Sequence, residues 1–139
     1  MNLFLDTSIC IDVLRANGPD RSFEIFERLG EEIIGYISVI SVAELSAGAN
    51  LSTRRDAMEK TEELLMYLQI IDLTQSIAYE AGSIFAFLSK IGRKIEFNDC
   101  LIAATAQSLG FREIITRNID HFNRIDNFSG VLPETVSFE

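Results

Sequence analysis

The chain opens on an unbroken apolar run, Leu3 to Leu5, that stops at Asp6, Thr7 and Ser8. The absence of alternation fits a strand buried on both faces, as in the middle of a parallel sheet covered by helices. From Ser8 to Ala16 the apolar positions Ile9, Val13 and Leu14 recur at helical spacing until Asn17, Gly18 and Pro19 stop them. A second short helix is predicted from Asp20 to Leu29. Gly30 ends it before a β-branched run, Ile33 to Val39, that reads as the second strand. Ser41 with Glu44 three residues on is a capping-box pattern and predicts a helix opening there.

Between Thr53 and Leu68 the residues Ala57, Met58, Thr61, Leu64, Leu65 and Leu68 form a helical stripe, read as core or dimer surface. Gln69 to Leu73 is the third predicted strand, and Thr74 starts a long helix whose stripe runs from Ile77 to Ile91 and ends near Gly92. Asn98 is the expected cap of the next helix, terminated by Gly110. Glu113 to Thr116 is a fourth strand, Arg117 to Phe122 a turn, and Gly130 to Phe138 a loop leading to a last strand. Strands alternating with helices in this order imply right-handed crossovers and an α/β fold, a mostly parallel sheet with helices on both faces.

Length and composition narrow the class. At 139 residues and 47% hydrophobic content the chain builds one core, so a single domain over 1–139 is expected. No apolar stretch approaches the roughly 20 residues that span a bilayer, and the run before Asp6 is too short for a signal peptide. A soluble, cytoplasmic protein without a membrane partner is therefore expected. Cys10 and Cys100 have no paired spacing and His121 is the lone histidine, which argues against a disulfide framework or a zinc site. Both cysteines read as small buried residues. The net charge of −9 argues against a simple basic nucleic-acid clamp, yet leaves room for a site that concentrates negative charge on divalent cations.

The predicted order places acids at corresponding positions. Asp6 follows the first strand, Glu44 lies on the helix after the second, Asp99 is in the first turn of its helix, and Asn118 with Asp120 follows the fourth strand. Each has a plain reading alone: Asp6 or Thr7 as a helix cap, Asp99 as a carboxylate favoured by the helix dipole, Asp120 as a cap of the short turn. Together they are harder to set aside. Ligands of open α/β sheets bind outside the carboxyl ends of the strands, and two like charges about 4 Å apart repel by roughly 4 kcal/mol at an effective dielectric of about 20. Oxygen ligands without His or Cys select hard cations, Mg²⁺ or Mn²⁺.

Four stretches carry a family resemblance: Leu5-Asp6-Thr7-Ser8; Ser41 to Gly48 with Glu44 inside it; Asp99 to Ala106; and Thr116-Arg117-Asn118 followed by Phe122. In this order and at these spacings the chain resembles the PIN domain, in particular the VapC-type toxins of prokaryotic toxin–antitoxin pairs. The resemblance implies a three-layer α/β/α sandwich and a Mg²⁺-dependent endoribonuclease that hydrolyses RNA with a metal-activated water. It also implies a homodimer and a cognate antitoxin whose tail blocks the acidic site. Carried over by position, Asp6, Glu44 and Asp99 match the family's central acids and metal ligands, and Asn118 stands where many members have a fourth acid. Thr7, Ser8 and Thr116 match supporting hydroxyls, Asp120 is a candidate to complete the site, and Arg117 is a candidate RNA contact whose plain alternative is a solvated surface arginine.

Two other classes stay open. A receiver-like domain would accept phosphate on Asp6, but there is no acid at position 8 and no Lys after the fourth strand. An inactive interaction module would keep the acids only as a partner surface. With a single histidine, a Ser-His-Asp or metal-free His-based ribonuclease site is not expected.

Overall fold

The computed structural model describes residues 1–15 and 17–138. In chain order the elements are β1 (Asn2–Phe4), α1 (Thr7–Leu14), α2 (Asp20–Glu27), β2 (Ile34–Ser38), α3 (Val39–Leu51), α4 (Ala57–Leu65), β3 (Leu68–Ile71), α5 (Gln75–Lys90), α6 (Phe97–Ser108), β4 (Glu113–Ile115), α7 (Ile119–Asn123) and β5 (Ser129–Val131), with a 3₁₀ turn at Pro133–Thr135. The expected end of the first helix at Ala16 lies outside the described residues.

Every strand pair is parallel. One ladder runs β1-β2-β3 and the other β4-β5. A parallel bridge between Leu5 and Ile115 joins them, and the Asp6 amide donates to the Ile115 carbonyl at 2.9 Å. The spatial order is therefore β3-β2-β1-β4-β5, and the direction of winding reverses between β1 and β4. That reversal opens a crevice at the carboxyl ends of the two strands, where open α/β sheets bind ligands.

Helices cover both faces, as the unbroken apolar strands require. Leu3, Leu5 and Ile115 pack with Ile9, Ile25, Leu45 and Leu64 on the α1–α4 side. Phe4 and Ile114 point the other way, among Ile77, Ala81, Leu88, Ile102 and Phe122 of α5–α7. The alternation within three-residue strands defines the two cores of a three-layer sandwich. Each Leu, Ile or Phe so buried contributes roughly 1.5–3 kcal/mol of transfer free energy. Among the described residues no helix is long and apolar enough to cross a membrane.

Local starts and stops differ from expectation where a neighbouring hydroxyl or the tertiary pairing wins. The second strand stops at Ser38, because the Ser38 hydroxyl accepts from the Ile40 amide at 3.0 Å and starts α3 there. Ser41 is thus a buried helical residue and not a cap, and the capping box with Glu44 does not form. Asn98 likewise lies inside α6, whose N-cap position is Glu96 without a side-chain cap bond. The α4 stripe is largely internal, with Thr61 and Leu64 buried, and the exposed apolar surface sits at Met66 and Tyr67 just beyond it. Thr74 caps α5 as expected, and Gly92 and Gly110 follow α5 and α6 at φ +72° and +86°.

The segment expected as a turn after the fourth strand forms α7, and the last strand comes early, at Ser129–Val131 beside β4. Gly130 is required there. A Cβ would lie 2.7 Å from Ile119 Cα and 2.9 Å from Thr116 Cγ2, so the close approach of β5 to the β4–α7 loop depends on its absence.

Candidate active site

The crevice between β1 and β4 is built by four consecutive residues leaving β4. Ile115 accepts from the Asp6 amide, the Thr116 hydroxyl donates to Asp6 Oδ2 at 2.7 Å, the Arg117 amide donates to Ser8 Oγ at 3.0 Å, and the Asn118 amide donates to Thr116 Oγ1 at 2.9 Å. Ser8 in turn donates to Asp6 Oδ2 at 2.9 Å. Asp6 occupies the N-cap position of α1 but makes no side-chain cap bond; its carboxylate is spent on the site.

Asp6 is only 3% exposed, and among the described residues it has no ion-pair partner. Burial pushes its carboxyl above the ordinary range, the hydroxyls of Thr116 and Ser8 pull the other way, and the nearby Asp99 charge pushes it up again. Asp99, in the first turn of α6, is also raised. Burial is the largest cause, the His121 imidazole opposes it by hydrogen bond and charge, and Glu44 and Glu96 add repulsion. The contact is direct, with His121 Nδ1 2.9 Å from Asp99 Oδ2. Glu44 is held from α1: Thr7 Oγ1 lies 2.7 Å from Glu44 Oε1 and 2.7 Å from Ser41 Oγ. Asp6, Asp99 and Glu44, three acids brought from the β1–α1 junction, α6 and α3, therefore share one electrostatic neighbourhood.

Other candidates fall less centrally. Asn118 is exposed and reaches the network through its backbone amide. Asp120 points to Arg124, at 2.8 Å, with a 77% exposed carboxylate. The Arg117 guanidinium turns away from Asp6 to Asp12, Ser22 and Glu134. Both cysteines are buried, as expected, and burial pushes the Cys100 thiol up to about 11, so neither is a nucleophile. The apolar cleft of about 650 Å³ lined by Val13, Phe23, Phe26 and Tyr67 contains none of the acids, whereas a smaller one, about 270 Å³, runs from Glu44 past Arg15, Arg54 and Lys60.

Among the described residues no three carboxylate, imidazole or thiol groups sit together as a preformed metal cage. The donor set is nevertheless oxygen-rich, and among the described residues no Lys or Arg forms an ion pair with Asp6, Asp99 or Glu44. Mg²⁺ keeps several of its waters and is held by one or two carboxylates, so an open arrangement of Asp6, Asp99 and Glu44 fits such an ion. His121, Ser41, Asp12 and Glu134 went unread in the sequence as members of this site. Only His121 left a signal, as the lone histidine three residues beyond Asn118.

A family model for the PIN domain matches residues 3–127. Ribonuclease VapC2 of Haemophilus influenzae is 35% identical over 127 residues, covering 90% of this chain and 92% of that protein. Among solved structures, VapBC2 from Rickettsia felis bound to a DNA fragment from its promoter matches with a TM-score of 0.82 and 30% identity, over 95% of this chain and 98% of that one. A toxin–antitoxin complex from Klebsiella pneumoniae matches with a TM-score of 0.68 and 27% identity, over 94% and 97%.

Proposed function

The chain belongs to the PIN-domain family, and from that premise we propose that it is a divalent-cation-dependent endoribonuclease, the toxin of a toxin–antitoxin pair acting as one nuclease domain over residues 1–139. The observation that carries the reading is Asp6: a buried carboxylate with no ion-pair partner among the described residues, at the point where the sheet reverses, in the field of Asp99, which itself feels Glu44. The 35% identity to a ribonuclease over nearly the whole chain supports RNA as the substrate.

In this reading Asp6 and Asp99 are the principal ligands of Mg²⁺, with Mn²⁺ as substitute, and Glu44 is the third acid. Bound there, the ion supplies Lewis acidity and a water of lowered pKa. The protein's own part is positional. Ser8 and Thr116 fix which lone pairs of Asp6 face the crevice, Thr7 orients Glu44, and His121 orients Asp99. Two hydroxyl bonds on Oδ2 also favour the ionised form of Asp6 that a cation needs. Asn118 offers a neutral oxygen donor at the rim.

The partners follow from the same reading. The antitoxin is the cognate protein, as in the similar toxin–antitoxin complexes, and exposed Met66 and Tyr67 leave apolar surface for assembly, including a homodimer. The test is cleavage of total RNA by the purified chain with Mg²⁺ and with EDTA, 5′ ends mapped, alone and with the neighbouring gene product. Discrete, Mg²⁺-dependent cuts suppressed by that product are expected. RNA left intact in Mg²⁺ and in Mn²⁺ overturns the reading in favour of an inactive interaction module.

A further inference from the structure

We infer that Arg117 is a positioning residue for Asp6, and that the C-terminal turn Pro133–Thr135 belongs to the support of the active site through it. Each guanidinium nitrogen is engaged. Nε donates to Asp12 Oδ2 at 2.8 Å, Nη2 to Ser22 Oγ at 3.3 Å and Glu134 Oε2 at 2.9 Å, and Nη1 to Glu134 Oε1. The same residue's backbone amide donates to Ser8 Oγ, and Ser8 donates to Asp6 Oδ2. One residue thus ties three separate segments of the chain to its own: α1 at two points, through Ser8 beside the crevice and Asp12 one turn on, α2 through Ser22, and the C-terminal turn through Glu134.

The network is internally consistent. Asp12 is 6% exposed and also accepts from Ser22 Oγ at 2.7 Å, so it holds α1 and α2 against the guanidinium. The turn that carries Glu134 is held in its turn by Arg21, which donates to the Val136 carbonyl and stacks on Phe138. For Arg117 to reach a phosphate it would have to release Asp12, leaving a buried carboxylate with the Ser22 hydroxyl but without its cation, a costly exchange. A planar fork that bridges two carboxylates and a hydroxyl is a task for arginine and not lysine.

The kinetic readout rests on the ribonuclease reading above; the structural readout does not. Glu134 is half exposed, so Glu134→Gln leaves the core untouched, while Arg117→Lys keeps the charge but cannot span Asp12 and Glu134 together. With a defined single-stranded RNA and Mg²⁺, kcat is expected to fall about threefold in Glu134→Gln and about thirtyfold in Arg117→Lys, with KM and its salt dependence unchanged. Adding Ser8→Ala to Arg117→Lys is expected to cost much less than the product of the two single effects, because both act through one path. Exchange of the Arg117 amide proton is expected to quicken at least tenfold in both single variants. A raised KM with a shallower salt dependence, or an unchanged Arg117 amide, overturns the inference and makes Arg117 an RNA contact or a plain surface tie. If the parent chain cuts no RNA, the nuclease reading fails, and amide exchange alone decides this one.

Discussion

The two sides of the acidic crevice are held in different ways. On the β1–β4 side, Asp6 is 3% exposed and its Oδ2 receives two hydroxyl bonds, one from Thr116, whose amide donates to the Val131 carbonyl of β5, and one from Ser8, whose Oγ accepts from the Arg117 amide. On the α6–α7 side, Asp99 is less buried and has one contact, to a His121 whose side chain is 38% exposed on a five-residue helix. The first half is a carboxylate held in place from several directions; the second is a carboxylate with room to move. Preorganisation costs least when it is built on strands that the core already fixes, while a carboxylate on a helix end beside a short, exposed helix keeps its freedom to adjust.

The largest effect that would sharpen this contrast comes from removing charge on either side. Asp6→Asn and Asp99→Asn are each expected to lower cleavage by about 10³-fold or more, on the order of 4 kcal/mol of transition-state stabilisation, measured as kcat/KM in saturating Mg²⁺. Asn keeps size and relieves desolvation, so both variants should stay folded. Parent-rate cleavage by either would break the assignment of that side.

A second expectation concerns stability and metal. Both carboxyls titrate above their ordinary range in the folded chain. In the window between the unfolded and folded values the folded state holds more protons, so stability falls as pH rises through that window and the deficit persists at neutral pH. A cation that binds the ionised pair offsets it, by about 2.7 kcal/mol at a hundredfold excess over Kd. Thermal melts with and without Mg²⁺ should therefore diverge near pH 7 and converge on acidification. In Asp6→Asn the divergence should shrink at every pH, and equal melting curves for the parent at pH 7 would count against a metal at these acids.

How much of this was legible in the sequence follows the same division. Leu3 to Asp6 and Glu113 to Thr116 announce two buried strands ending in polar residues, and the helical stripes between them dictate parallel crossovers, so Asp6 and Thr116 could be placed at the sheet edge before any coordinates. The capping pattern at Ser41 misleads because Ser38, three residues earlier, supplies the hydroxyl that starts α3, and nothing local distinguishes the two serines. The α7 helix gives only a turn signal because Ile119–Asn123 is too short for periodicity, and its contact from His121 to Asp99 is hidden with it. The partners of Arg117 lie 105, 95 and 17 residues away in sequence, a pairing that topology creates and local pattern cannot show.

An intermediate effect tests the preorganised side alone. Thr116→Val keeps the shape of a fully buried side chain and deletes the hydroxyl on Asp6 Oδ2. That hydrogen bond lowers the Asp6 pKa, so its loss moves the acid limb of the pH–rate profile to higher pH and reduces the plateau by about thirtyfold, roughly 2 kcal/mol. An unshifted acid limb would mean that Asp6 is not the group reported by that limb.

The smallest effects belong to the open side, at Asn118 and Asp120. Asn118 carries no charge, so Asn118→Asp adds a carboxylate at the rim and should keep or raise the rate at limiting Mg²⁺. Asp120 is 77% exposed and paired with Arg124 one helical turn on, and such a pair contributes little in water. Asp120→Asn should therefore cost less than tenfold, under about 1.4 kcal/mol. Rate against Mg²⁺ concentration for both variants separates a ligand from a bystander: a ligand shifts the Mg²⁺ midpoint, a bystander scales the plateau slightly. A collapse in Asp120→Asn comparable to that of Asp99→Asn would require α7 to turn Asp120 from Arg124 toward the crevice when substrate binds. In that event the adaptable half of the site would extend from Asp99 through the whole of α7.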